Sequence, residues 1–296
     1  MSPQRARIFA CLARAGVASA VFSAVVAARA LPTEPGHNVA PALTAPVHPA
    51  LPNTTTSSPA QPIACSAPAQ YAHLDRPLVR TARQLVAGEP LTIVAIGSSS
   101  TAGAGASSPD ASYPNRLAIE LKRRFPTADI TVLNRGVNGE ETTDMMARFD
   151  KDVFAAHPQL VLWQVGTNSV LRDRPLQEHA EQMQRGIDRL KASGADVVLI
   201  DLQYSPKVIE ASETLDMVDQ IAAASKEKNI DLFRRFAQMR DWHDVQHLPF
   251  EAFVSPDGLH MNDWGYACWA KILSGAIAEA ATRPVASAAA HARPSH

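Results

Sequence analysis

Five short apolar runs punctuate residues 91–233, and stretches of helical periodicity separate them. The runs are Leu91–Gly97 (LTIVAIG), Asp129–Asn134 (DITVLN), Leu160–Val165 (LVLWQV), Val197–Leu202 (VVLIDL) and Asn229–Phe233 (NIDLF). They are nearly continuous in apolar residues rather than alternating with polar ones, as strands covered on both faces must be. Between them, Tyr113–Phe125 sets Leu117, Leu121 and Phe125 on one helical face. Arg174–Ser193 does the same with Leu176, Met183, Ile187 and Leu190, and Glu213–Lys228 with Leu215, Val218 and Ile221. Strand and helix in alternation predict a parallel sheet with helices on both sides. In such sheets the groups that meet a ligand stand at the carboxyl ends of the strands.

The alternating region takes up about 210 of the 296 residues, and the ends of the chain differ from it in kind. Residues 1–30 carry Arg5, Arg7 and Arg14 but no Asp, Glu or Lys, followed by an Ala/Val-rich run from Ala15 to Ala28 and then Ala28-Arg29-Ala30. A basic start, a short apolar stretch and a small-x-small site describe a secretory signal peptide cleaved after Ala30. A retained anchor is the other reading, but spanning a bilayer takes roughly 20 apolar residues, and this run has 14. Cleavage removes four arginines, so the net charge of -1 becomes -5, and the expected location is secreted or periplasmic. Residues 31–70 hold nine prolines and a single charged side chain, Glu34, and read as an extended, disordered tether. Within them, Asn53-Thr54-Thr55 matches a glycosylation sequon. One folded domain is expected over 71–282, with a loose Ala/Pro/Ser tail over 283–296. No membrane span is expected once the leader is gone.

Of the three cysteines, Cys11 leaves with the leader, while Cys65 and Cys268 remain. In an oxidising compartment they could pair and pin the amino-terminal arm to the last helix. The alternative is two unrelated thiols, since sequence cannot supply the distance a disulfide demands. The near-neutral charge excludes the basic field of a non-specific nucleic-acid binder, and no nucleic-acid partner is expected.

The first strand runs into Gly97-Ser98-Ser99-Ser100-Thr101-Ala102-Gly103. A phosphate loop fails here for want of a Gly-Lys-Ser/Thr, and the dinucleotide fingerprint fails for want of its last glycine. By itself the segment is an ordinary serine-rich turn with an N-cap. The second strand ends in Asn134-Arg135-Gly136-Val137-Asn138-Gly139 and the third in Val165-Gly166-Thr167-Asn168, each individually turn-forming. Further on stands Ser255-Pro256-Asp257-Gly258-Leu259-His260, followed by Gly265-Tyr266 at the start of the last helix. Asp and His three apart let the carboxylate fix one imidazole nitrogen and leave the other free to take a proton.

Taken together, these blocks resemble the SGNH/GDSL serine hydrolases in order and spacing, from about Leu91 to Trp269. The resemblance implies a three-layer α/β/α sandwich around a five-stranded, mainly parallel sheet of flavodoxin-like order. It also implies ester hydrolysis with Ser99 as nucleophile, His260 as base and Asp257 as its orienting carboxylate. The implied oxyanion hole is the N–H of Ser99, the N–H of Gly136 and the side-chain amide of Asn168. Ser98 departs from the family, which usually carries aspartate there. The implied substrate is an acyl ester, with O-acetyl or short acyl groups on carbohydrate in view, and no cofactor or metal is called for. Acyl transfer to cell-envelope sugars and a catalytically silent carbohydrate-binding domain are the alternatives.

Several other residues compete for roles. Trp163, Gln164 and Trp264 flank the site blocks as candidate pocket lining, against the plainer reading that both tryptophans are core. Asp244-Val245-Gln246-His247 is a second Asp-x-x-His outside any strand-end block, and His243 with His247 lacks a third ligand for a metal. Glu140 and Glu141 read as a helix start.

Overall fold

The structure is a computed structural model that describes residues 63–284. The leader, most of the tether with its Asn53 sequon, and the tail from residue 285 lie outside the described residues. Five strands form one sheet: β1 Leu91–Gly97, β2 Ile130–Gly136, β3 Leu160–Gln164, β4 Asp196–Ile200 and β5 Asp231–Phe233. The helices are α1 Val79–Ala87, α2 Ser99–Ala102, α3 Tyr113–Arg124, α4 Thr142–Ala147, α5 Phe149–Asp152 and α6 Thr167–Leu171. They continue as α7 Leu176–Ala192, α8 Pro206–Ile209, α9 Thr214–Glu227, α10 Arg235–Asp244 and α11 Asp263–Thr282. Every pairing is parallel, in the order β2-β1-β3-β4-β5.

The unbroken apolar runs are explained by two cores. Ile93, Ala95, Leu160, Leu162, Val198 and Ile200 face α3, α10 and α11. Their neighbours Val94, Ile96, Val161, Trp163, Val197 and Leu199 face α4, α7 and α9. With successive side chains pointing to opposite faces, a strand covered on both sides must be apolar at every position. The sheet is therefore the middle layer of an α/β/α sandwich. At its centre the chain leaves β1 toward β2 on one side and returns to β3 on the other. This switch point opens a crevice at the strands' carboxyl ends.

Local signals set the helix ends. Glu141 caps α4 in a reciprocal box with Asp144, and the Asn262 side chain caps α11 by accepting from Gly265 N–H at 2.9 Å. Glycine in the left-handed region closes α1 at Gly88 (φ 66°).

The amino-terminal arm is part of the fold. Cys65 and Cys268 form a disulfide, with Cα atoms 5.3 Å apart. Trp242 Nε1–H donates to Ser66 O at 2.7 Å, and Gln238 Nε2–H to Tyr71 O at 2.5 Å. The end of the expected tether, from Ile63 to Gln70, thus lies against α10 and α11. Arg283, expected in the loose tail, donates to Leu74 O at 2.8 Å and pairs with Glu279.

Candidate active site

Ser99 is the first residue of α2, directly beyond β1, and is half-buried. A left-handed Gly103 (φ 100°) ends this single turn, so a glycine is needed there to turn the chain away from the site. Gly136, at the end of β2, lets the turn approach, because a Cβ on it would overlap Ala102 N. Ser98 N–H and Oγ–H both donate to Gln164 Oε1, at 2.9 and 3.0 Å. Gln164 closes β3 and is buried, so it anchors the Ser99 loop from the neighbouring strand rather than lining a pocket. Ser98 gives this anchor a neutral hydroxyl partner where the resembling family usually carries a carboxylate.

The loop before α11 brings in the other two groups. His260 Nε2 lies 2.7 Å from Ser99 Oγ, and His260 Nδ1 lies 2.5 Å from Asp257 Oδ2. Asp257 Oδ1 accepts from Ser255 Oγ–H at 2.7 Å, Leu259 N–H at 2.9 Å and His260 N–H at 3.0 Å. Gly258 turns the loop tightly at φ 68°, and Ser255 N–H closes it on His260 O at 2.8 Å. Partial burial pushes the Asp257 carboxyl up, but the bonds from the His260 ring and N–H, Ser255 and Leu259 outweigh it. The net effect holds the group well below the usual carboxylate range, so Asp257 is an anion. An anion at Nδ1 places the ring proton there and leaves Nε2 as acceptor for the Ser99 hydroxyl.

The three expected oxyanion donors differ in availability. Ser99 N–H has no acceptor among the described residues. Asn168, on α6 beyond β3, spends one amide hydrogen on Glu140 O at 2.8 Å and keeps the other. Gly136 N–H is already given to Asn134 Oδ1 at 2.9 Å.

Trp163 is a correction to the pocket-lining expectation. It is fully buried, its indole packing on Gly186 of α7 and edge-on to Phe149. Its place in β3 has the same parity as Val161, which points it into the α4/α7 core. Trp264 packs edge-on to Trp242, and its Nε1–H reaches Ile63 O at 3.4 Å, so it belongs to the seat of the arm. In the decoy segment, Asp244 accepts from Tyr204 OH at 3.2 Å and the His243 ring stacks on Phe250. Glu141, besides capping α4, pairs with Arg172 and Arg174, and Glu140 pairs with Arg148. Ser255 and Gln203, both bonded to the loops that carry Ser99, Asp257 and His260, were not singled out by sequence. The only hint of Gln203 was a polar side chain just past an apolar run.

A doubly wound parallel sheet with Ser, His and Asp joined across its carboxyl edge defines a protein of the SGNH-hydrolase type. The chain belongs to the non-GDSL lipase-like family, whose model matches residues 64–283. Ser98 in place of aspartate is in keeping with that description. An arylesterase from Vibrio mimicus is 32% identical over 78 residues, which are 26% of this chain and 39% of the arylesterase. A two-domain esterase active on acetylated mannans superposes with a TM-score of 0.64 at 20% identity, over 77% of this chain and 60% of that one. A catalytic mutant of Axe2, an acetylxylan esterase from Geobacillus stearothermophilus, gives 0.54 at 19% identity over 65% and 94%. These likenesses speak for the fold. The chain spans only about two fifths of the arylesterase and three fifths of the mannan-active esterase.

Proposed function

We propose that the protein is an exported serine esterase that hydrolyses carboxylic esters, with O-acetyl groups on carbohydrate as the substrate class. One observation carries the reading: Ser99 Oγ, His260 and Asp257 form a continuous chain of hydrogen bonds at the switch-point crevice. Serine is a poor nucleophile until a positioned base takes its proton. As Ser99 Oγ bonds to the ester carbonyl carbon, its proton passes to His260 Nε2 and Asp257 stabilises the resulting cation. His260 then protonates the departing alcohol, leaving an acyl group on Ser99. Water attacks that acyl group, again losing a proton to His260, and Ser99 leaves with it as the acid is released. Charge on the tetrahedral oxygen is met by Ser99 N–H and the second Asn168 amide hydrogen. Gly136 N–H joins them once Asn134 releases it.

The substrate class is supported by the mannan- and xylan-acting esterases whose fold the chain shares. Export is supported by the leader-like residues 1–30. No helix among the described residues is long and apolar enough to cross a membrane.

Fluorophosphonate labelling with peptide mapping tests the chemistry, and acetate release from acetylated mannan and xylan tests the substrate. Modification of Ser99, and none in Ser99→Ala, is the expected result. A folded protein that takes no label, or takes it at Ser98 or Ser100, overturns the assignment. Hydrolysis of long-chain acyl esters with no acetate release would move the substrate class to lipids.

A further inference from the structure

Three separate loops supply the catalytic groups: Ser99 follows β1, Asn168 follows β3, and His260 precedes α11. The β1–β3 ladder ends at Ile96 and Trp163, before either loop begins. Backbone pairing therefore cannot fix how these loops stand relative to one another. Gln203, three residues past the end of β4 and 1% exposed, contacts all three. Its Oε1 accepts from Thr167 Oγ–H at 3.0 Å and from Ser100 Oγ–H at 3.4 Å, the residues adjoining Asn168 and Ser99. Its Nε2–H donates at 3.3 Å to the carbonyl of Leu259, the residue before His260.

Arg235 holds this carboxamide from below. Its Nη2 donates to Gln203 Oε1 at 2.9 Å and to Asp201 O at 2.6 Å. A guanidinium can only donate and a carbonyl can only accept, so the two neighbours dictate which way the amide faces. Arg235 is fully buried, and its Nε and Nη1 have no partner among the described residues. Burying such a group costs stability that apolar side chains of similar volume would not forfeit. That cost argues for a role in geometry rather than in cohesion.

We propose that Gln203 is a positioning residue: it touches no reacting atom and sets the relative register of the Ser99, Asn168 and His260 loops. The inference rests on the proposed Ser99–His260–Asp257 chemistry. A misplacement of about 1 Å in such a site can cost on the order of 10²-fold in rate.

Two variants in the full-length protein separate positioning from packing. Gln203→Leu keeps the volume and removes all the bonds. Gln203→Glu keeps the acceptor for Arg235, Thr167 and Ser100 and loses the donor to Leu259. Thermal melts establish folding, while kcat, KM and the rate of Ser99 phosphonylation are measured on an aryl acetate. Gln203→Leu is expected to lower kcat and the phosphonylation rate by about 10²-fold with KM nearly unchanged, and Gln203→Glu to recover part of that loss. Folded variants with both rates within about twofold of wild type, or a loss confined to KM, overturn the proposal. Should Gln203→Leu fail to fold, a loss in Gln203→Glu of about tenfold sustains it and an unchanged rate overturns it. Wild-type protein that takes no label at Ser99 overturns the chemistry and the inference together. Labelled wild type with unimpaired variants overturns the inference alone.

Discussion

Asn168 carries more of the proposed oxyanion hole than its place among three donors suggests. Its bond to Glu140 O fixes the amide plane and leaves the second hydrogen unspent, whereas Gly136 N–H must first leave Asn134. Donors that need no rearrangement stabilise developing charge most effectively. Asn168→Ala is therefore expected to lower kcat by about 10²–10³-fold while KM changes little. Steady-state kinetics on an aryl acetate check this, and an unchanged kcat removes Asn168 from the hole. In sequence, Ser99, Gly136 and Asn168 stood out only through the resemblance to the SGNH/GDSL blocks, while the Asp257–His260 spacing could be read from its own chemistry. Their supports were less legible. Gln164 acts through a contact with a distant segment, and Ser255 through a loop bond to Asp257 two residues on, and neither has a spacing rule. Trp163 misled for a related reason, since a run apolar at every position does not reveal which core each side chain enters.

At the scale of elements, α9 lies where expected but buries Met217, Ile221 and Ala224 and leaves Leu215 exposed, and β2 is an edge strand covered only in part. The other strands and the α3 and α7 helices were readable because each repeats a simple burial pattern. The short turns α2 and α6 were not, because helices of four or five residues owe their form to neighbours rather than propensity. The α10 helix hid for another reason: its buried side includes Arg235 and Gln238, so it shows no apolar stripe. The junction of β4 with α10 has a pH consequence. Asp201 follows β4, is buried, and accepts the Phe236 N–H at 2.9 Å. Burial raises its carboxyl to about 7, against the opposing effects of that bond and of Arg235 and Arg234. Between an unfolded value of about 4 and the folded one, the native state holds a proton that the unfolded chain has lost. Stability from Asp201 is thus fully present below about pH 4 and is lost as pH rises through about 7, by at most about 1.4 kcal/mol per pH unit. His179, whose buried ring has a lowered pKa, works in the opposite sense in part of that window. The comparison with Asp201→Asn isolates the carboxyl. Urea unfolding from pH 5 to 8 should show the wild type losing more stability than the variant, and parallel curves would refute the assignment.

For the whole molecule, the decisive covalent fact is that Cys65 and Cys268 are joined across 203 positions of sequence. The bridge ties the arm before the domain to the helix that closes it, so nearly the entire described chain lies inside the loop. Constraining a loop of that size removes unfolded-state entropy worth about 5 kcal/mol in the chain-entropy model, an upper figure since measured values often fall short. For a domain of this size, that corresponds to a fall in Tm of up to roughly 10–20 °C when the bridge is lost. The arm also keeps its bonds from Trp242 and Gln238, so it has contacts to hold it in place after reduction. Cys65→Ser tests the covalent term with little disturbance to packing, because Cys65 is half-buried whereas Cys268 is buried in α11. The expected result is a lower melting temperature for Cys65→Ser, matched by reductant in the wild type, with the Ser99 labelling rate at 25 °C unchanged. A melting temperature indifferent to both treatments would mean that the thiols are not joined in the folded protein. The same experiment bears on export: a protein stabilised by this bridge is best suited to a compartment that keeps it oxidised. Material matured in an oxidising compartment should melt higher than material produced in a reducing cytosol. Equal melting of the two preparations would count against any dependence of the fold on that compartment.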